Sequence, residues 1–225
     1  MLCGRHVLGL LRGRCALPYH NRFCCRADEV IHYFGEYTAR KGFNHSETNQ
    51  LILNFKKKMD RRGLLEWRYK TAAIDTAGTR FRGALKEEAL KQATHIPIPP
   101  SKSRTDPNYD DRVLKMIQVA CSGLGADIRE LVYQVNSIPA AHESDDRPTP
   151  TDLRSNYAIN EAIAGKVPEL MLVYDDVLTT GAHFKAMRSI LSDRYPHVRI
   201  IGLFIARRAP TLTWSSTRSS SRSLL

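Results

Sequence analysis

Leu170-Met171-Leu172-Val173-Tyr174-Asp175-Asp176-Val177-Leu178-Thr179-Thr180-Gly181-Ala182-His183 is the stretch around which the 225-residue chain organises itself. Its first five residues are continuously apolar, the pattern of a parallel strand covered by helices on both faces. Two acids end the strand, Thr-Thr-Gly follows, and Phe184, Met187 and Leu191 then recur at helical spacing. The carboxylates can accept hydrogen bonds from vicinal hydroxyls. The Thr hydroxyls and bare N–H groups at a helix start favour an anion. A diol beside a phosphate describes a ribose 5-phosphate. A strand end followed by an ordinary helix cap explains one Asp or one Thr, but not the whole string.

Outward from this stretch, strands and helices alternate. Val198 to Ile205 predicts the following strand, and His95 to Ile98 and Ile128 to Val135 predict two earlier ones. Val113, Met116, Ile117 and Ala120 predict a helix over Asp111 to Ala120 that stops at Gly123 and Gly125. Leu51, Ile52, Phe55 and Met59 predict an amphipathic helix over Glu47 to Met59, with Asn44 or Ser46 as its cap. A second helix after Gly63 turns Trp67, Ile74, Ala77, Phe81 and Leu85 to one face, which reads Trp67 as core. Two successive strand–helix–strand units imply a parallel sheet with right-handed crossovers. The expected class is α/β, a three-layer parallel sheet with helices on both faces. Ser137 to Thr151 is rich in Pro, Asp and Ala without a period, and reads as a long mobile connection suited to a lid.

The net charge of +11 invites a nucleic-acid reading, but its location weakens that. Nine of the 34 basic residues lie in Met1 to Ala27 and Arg207 to Leu225, where no acid opposes them, leaving 25 basic against 23 acidic residues between. The electrostatic footprint thus belongs to the ends. Residues 28–210 are read as one domain, 1–27 as a basic lead-in and 211–225, with six serines, as a disordered tail. One local cluster remains, Lys56, Lys57, Lys58, Arg61 and Arg62, read as a solvated helix face. The longest apolar run, Ile200 to Ala206, is far short of the roughly 18 residues that cross a bilayer, so no membrane span is expected. Four of the five cysteines, Cys3, Cys15, Cys24 and Cys25, crowd into the N-terminal segment and read as free thiols more readily than as a zinc site with His6 or His20. That segment makes a poor secretory or transit signal, and the expected location is cytoplasmic.

The string MLVYDDVLTTGAH, Met171 to His183, resembles the phosphoribosyl pyrophosphate (PRPP) motif of type I phosphoribosyltransferases. It departs at His183, where that family usually has Thr or Ser. Thr179 stands where purine-salvage members usually carry an Asp, which points away from a hypoxanthine-type substrate. Within the superfamily the chain is most similar to ComF-like (competence protein F type) proteins, over about Tyr33 to Arg207. HIPIPPSKSR, His95 to Arg104, resembles their first core strand and pyrophosphate loop. DLRSNYAI, with Arg154 and Asn156, resembles their Arg-x-x-Asn stretch, and IIGLFIARR their final strand. Asp106-Pro107-Asn108-Tyr109-Asp110-Asp111 replaces their Arg-Gly-Phe-Asn-Gln signature, and their paired zinc knuckles are missing, as in a divergent branch.

The resemblance implies the type I phosphoribosyltransferase fold and a site. Asp175 and Asp176 would hold the ribose hydroxyls, with Mg²⁺ between them and the substrate and bound mostly through PRPP and water. Thr179, Thr180, Gly181, Ala182 and His183 would cradle the 5-phosphate, while Ser101, Lys102 and Arg104 face the pyrophosphate. The implied reaction transfers phosphoribosyl from Mg-PRPP to a nucleobase or other nucleophile, releasing pyrophosphate. The rival readings are a silent PRPP or nucleotide sensor and a competence-type protein of DNA uptake, the latter drawing on Lys56 to Arg62. A homodimer is compatible with either, and the acceptor is not legible.

Overall fold

The computed structural model describes residues 30–138 and 148–209. In chain order these form β1 (Val30–Tyr37), α1 (Glu47–Phe55), α2 (Trp67–Ala84), α3 (Glu87–Gln92), β2 (Thr94–Pro97), α4 (Arg112–Ala120), β3 (Asp127–Ile128), β4 (Val132–Gln134), α5 (Pro150–Asn156), β5 (Tyr157–Ile159), β6 (Leu170–Leu178), α6 (Ala182–Arg194) and β7 (Arg199–Arg208). Five strands make one sheet in the order β1-β7-β6-β2-β3, every neighbouring pair parallel. β4 and β5 pair separately and antiparallel.

The apolar run of β6 is buried on both sides. Leu172 and Tyr174 join Phe55, Phe81 and Met116 in the core beneath α1, α2 and α4. Met171 and Val173 join Ile96, Phe184 and Met187 in the core under α5 and α6. Each such side chain contributes about 1.5–3 kcal/mol of burial. A polar pair inside the first core is satisfied. His95 Nε2 donates to the Leu90 carbonyl at 2.9 Å, so its Nδ1 can accept from the Tyr174 hydroxyl at 2.9 Å. Burial lowers the pKa of His95 and keeps the ring neutral, as that arrangement requires.

Several boundaries differ from the sequence reading. β6 continues through both acids, its ladder to β7 running on past Asp175↔Phe204 to Leu178↔Arg207. The strand expected over Ile128 to Val135 is two short strands in different sheets. Arg129 N closes the main ladder on the His95 carbonyl, and its guanidinium turns to Asp127 and the Ala164 carbonyl, so the chain leaves the sheet there. β1 was not foreseen. α1 stops at Phe55, with Lys56 as its C-cap and Met59–Arg61 in a separate 3₁₀ turn, so Lys56 to Arg62 do not form a helix face. Trp67 is half-buried, lying against Arg62 and Lys70, and is not a core residue. Most of the expected lid (139–147), the N-terminal segment with its four cysteines and the Ser/Arg-rich tail fall outside the described residues. No helix among the described residues is long and apolar enough to cross a membrane.

Gly78 sets how closely α2 approaches α4. A Cβ there would lie 2.6 Å from Val119 Cβ and 2.7 Å from the Met116 carbonyl oxygen. Alanine in a helix gains about 1 kcal/mol over glycine, but overpacking against a carbonyl costs about 1–3 kcal/mol. Gly78→Ala is therefore expected to lower stability in urea unfolding by up to about 2 kcal/mol. A stability gain would mean that the two helices are free to part.

Candidate functional site

β2 leads outward to β3 on one side, whereas β6 leads to β7 on the other. The connections therefore diverge from the β2/β6 boundary, leaving a crevice at the carboxyl ends of these strands, where open α/β sheets bind ligands. Pro99-Pro100 restrict the chain leaving β2, and Gly181, at φ +78°, makes the left-handed turn that starts α6. Between these loops lies a cleft of about 570 Å³, within the range of small-molecule sites.

The cleft gathers six of the residues singled out from sequence: Ser101 and Lys102 from the β2 side, and Asp175, Asp176, Thr179 and His183 from the β6 side. Thr180, Gly181 and Ala182 do not line it; Ala182 N donates to Thr180 Oγ1 at 3.4 Å in a local cap. The expected five-residue cradle is thus presented to the cleft through Thr179 and His183. Arg104 pairs with Glu130 at 2.8 Å, and Tyr109 donates to the same carboxylate at 2.6 Å. That holds Arg104 in an adjoining small cavity, which Lys102 and Asp175 also border. Ile138 N donates to the Ser101 carbonyl, and Ser137 Oγ lies between Ser103 and Asp106, so this later segment braces the β2 loop. Arg154 and Asn156 are engaged elsewhere, with Asp193 and with Gln134 and Asn136.

The two acids have unlike surroundings. Asp176 is buried. Its Oδ1 accepts from Lys56 Nζ at 3.0 Å and from Val177 N at 2.7 Å; its Oδ2 accepts from Arg112 Nη2 at 2.7 Å and Nε at 3.2 Å. Lys56 and Arg112 outweigh burial and hold its carboxyl well below the usual range. Asp175 accepts from Asp176 N at 2.7 Å. Burial first and the neighbouring Asp176 charge second push its pKa up to about 7, with Lys56 and Arg112 opposing. Burial takes His183 down to about 4, so its ring is neutral at pH 7, with Nδ1 2.8 Å from the Tyr157 hydroxyl. As direct ligands of Mg²⁺ the acids do not fit as a pair, because the acceptor sites of Asp176 are filled. Among the described residues, no group of three or more His, Cys, Asp and Glu side chains is placed to hold a metal ion.

Sequence reasoning missed the cations that make this floor. Lys56 and Arg112 line the cleft, and Arg112 Nη1 bridges to Asp110 at 2.6 Å. Asp110 in turn holds the buried Lys70 at 2.7 Å. Lys70 occupies a position on the apolar stripe of α2, between Trp67 and Ile74, and a charge in that register is the signal that was available.

Comparison with models of protein families and with curated proteins finds no match to this chain.

The raised pKa of Asp175 sets a pH dependence of stability. Between its ordinary 3.8 and about 7 the native state keeps a proton that the unfolded chain has released, so stability falls as pH rises through this window. Asp175→Asn removes that loss. Its Tm is expected to exceed the wild-type value by roughly 5 °C or more at pH 8, with the gap closing towards pH 5. Parallel melting curves across the range would place Asp175 in a more polar setting.

Proposed function

We propose that this protein is a type I phosphoribosyltransferase-like protein that binds PRPP, or a nucleotide bearing ribose 5-phosphate, in the β2/β6 cleft and transfers phosphoribosyl to a nucleobase or other nucleophile. One observation carries the reading: Asp175 from β6, Thr179 directly after it, and Ser101 and Lys102 from the loop after β2 face a single cleft where the sheet order reverses. That coincidence of motif and topology supports a sugar phosphate lying along the β6 end with its pyrophosphate towards β2.

In the proposed transfer, the C1–O bond to pyrophosphate breaks and its electron pair leaves with the pyrophosphate. A nitrogen lone pair forms the new C1–N bond, and the nucleophile gives up its proton. Positive charge grows on the sugar while negative charge departs. The chain's contribution is electrostatic: Asp175 beside the ribose, and Lys102, with Lys58 across the cleft, near the phosphates. Asp175, with its pKa near 7, is suited to accept a proton at neutral pH. Neutral His183 can hydrogen-bond a phosphate without adding charge. Mg²⁺ enters as part of the ligand, Mg-PRPP.

The saturation of Asp176 favours a second reading, a site that binds PRPP or a nucleotide without turnover. Pyrophosphate release in the presence of a panel of nucleobases marks the transferase; tight binding without release marks the sensor.

Calorimetric titration with Mg-PRPP is expected to show binding that Asp175→Asn weakens about tenfold or more. Lys102→Ala removes a charge-assisted contact of about 1.5–3 kcal/mol and is expected to weaken PRPP about 10–100-fold, with much less effect on ribose 5-phosphate. No PRPP binding by the wild-type protein would end this reading, and equal losses for both ligands would remove Lys102 from the pyrophosphate.

A further inference from the structure

An ionised carboxylate offers about four acceptor sites, and those of Asp176 are filled by Lys56, Val177 N and the two donors of Arg112. The two cations are held differently. Arg112 is 18% exposed and fixed from its other side by Asp110. Lys56 is 41% exposed, follows the last turn of α1 and reaches its partner across the cleft. Lys56 lines the cleft together with Asp175, Asp176 and His183, so its ammonium shares that space with two carboxylates and an imidazole. Those side chains are the donor types that a divalent ion prefers.

We infer that Lys56 is the resident cation of the acid pair: its ammonium occupies the place beside Asp176 that a divalent ion would otherwise take. Mg²⁺ gives up its water reluctantly, whereas a tethered ammonium competes from within the chain at high effective concentration. The ligand-free protein accordingly has little affinity for a divalent ion at this place, and a metal enters on the phosphates of the ligand. Asp175 is then the one acid of the pair open to a ribose hydroxyl. The Lys56–Asp176 assignment goes beyond the PRPP reading, while the entry of metal on the phosphates and the ribose contact of Asp175 rest on that reading.

The test is Mn²⁺ titration of the full chain without any sugar phosphate, followed by electron paramagnetic resonance and by paramagnetic broadening of backbone amides. Lys56→Met is expected to bind Mn²⁺ about tenfold or more tightly than wild type, with broadening centred on residues 175–183. Lys56→Arg, which keeps the cation, is expected to show no such gain. Lys56 is partly exposed, so both variants should fold, and their thermal melts verify it. An unchanged affinity in Lys56→Met, an equal gain in Lys56→Arg, or broadening centred elsewhere would overturn the inference. Because no sugar phosphate is present, such a failure leaves PRPP binding standing, and a failure of PRPP binding leaves this result unaffected.

Discussion

A line of alternating charge, Lys70–Asp110–Arg112–Asp176–Lys56, fixes the floor of the cleft. Its links are 2.7, 2.6, 2.7 and 3.0 Å long. It runs from α2 through Asp110, just ahead of α4, and Arg112, the first residue of α4, and across the end of β6 to the C-cap of α1. Lys70 and Asp176 are 2% and 4% exposed, so their desolvation is tolerable only because each is fully paired. Lys70 also donates to the carbonyls of Phe55 and Lys57, where the end of α1 leaves acceptors and favours a cation. Burial lowers the pKa of Lys70 while Asp110 opposes that effect. Removing Lys70 or another buried member of the line typically costs about 3–5 kcal/mol, because its partner is left charged and alone. Three helices are therefore bound to the strand end that lines the cleft.

This line separates two acids that the sequence presents as equivalent. Adjacent residues of a strand point to opposite faces, so Asp176 follows Leu172 and Tyr174 towards α1, α2 and α4, where the cations are. Asp175 follows Met171 and Val173 towards the other face and emerges beside the cleft without an ion pair among the described residues. One acid is held ionised, while the other is left with a proton it can release near neutral pH. Beyond burial, the Asp176 charge that this pairing maintains raises the cost of charging Asp175, while Lys56 and Arg112 lower it.

The parts of this arrangement legible in sequence are those encoded locally. β6 declared itself because both of its faces are buried, and α1, α2 and α4 because their apolar residues keep the helical period. β1 was hidden because His32, Gly35 and Glu36 interrupt its apolar pattern and the strand has β7 alone as a sheet neighbour. Ile128 to Val135 reads as one strand since Leu131 and Val132 continue its apolar character, while the break is made by tertiary partners of Arg129. At the site, the acids and Lys102 lie on strand ends and adjoining loops, where spacing carries information. Lys56 and Arg112 meet Asp176 across 120 and 64 residues, a separation over which no period extends. Asp106 to Asp111 departs from the signature of the family that the chain resembles, and Asp110 from that segment joins the charge line.

The cleft is electrically lopsided in a way that suits the proposed transfer. Lys102 and Ser101 stand on the β2 wall, Lys58 enters from the segment after α1, and Asp175 with neutral His183 stands at the β6 end, where Lys56 pairs with Asp176. A sugar phosphate lying across this gradient has its departing negative charge drawn towards the cations and its developing positive charge beside the acid. The gradient depends on Asp176 being neutralised. Two free carboxylates at the β6 end would repel an incoming polyphosphate, whereas one fixed within an ion-paired line and one near its titration point leave the phosphate path attractive. The topology supplies the crevice, and the buried cations determine which charges remain for the ligand.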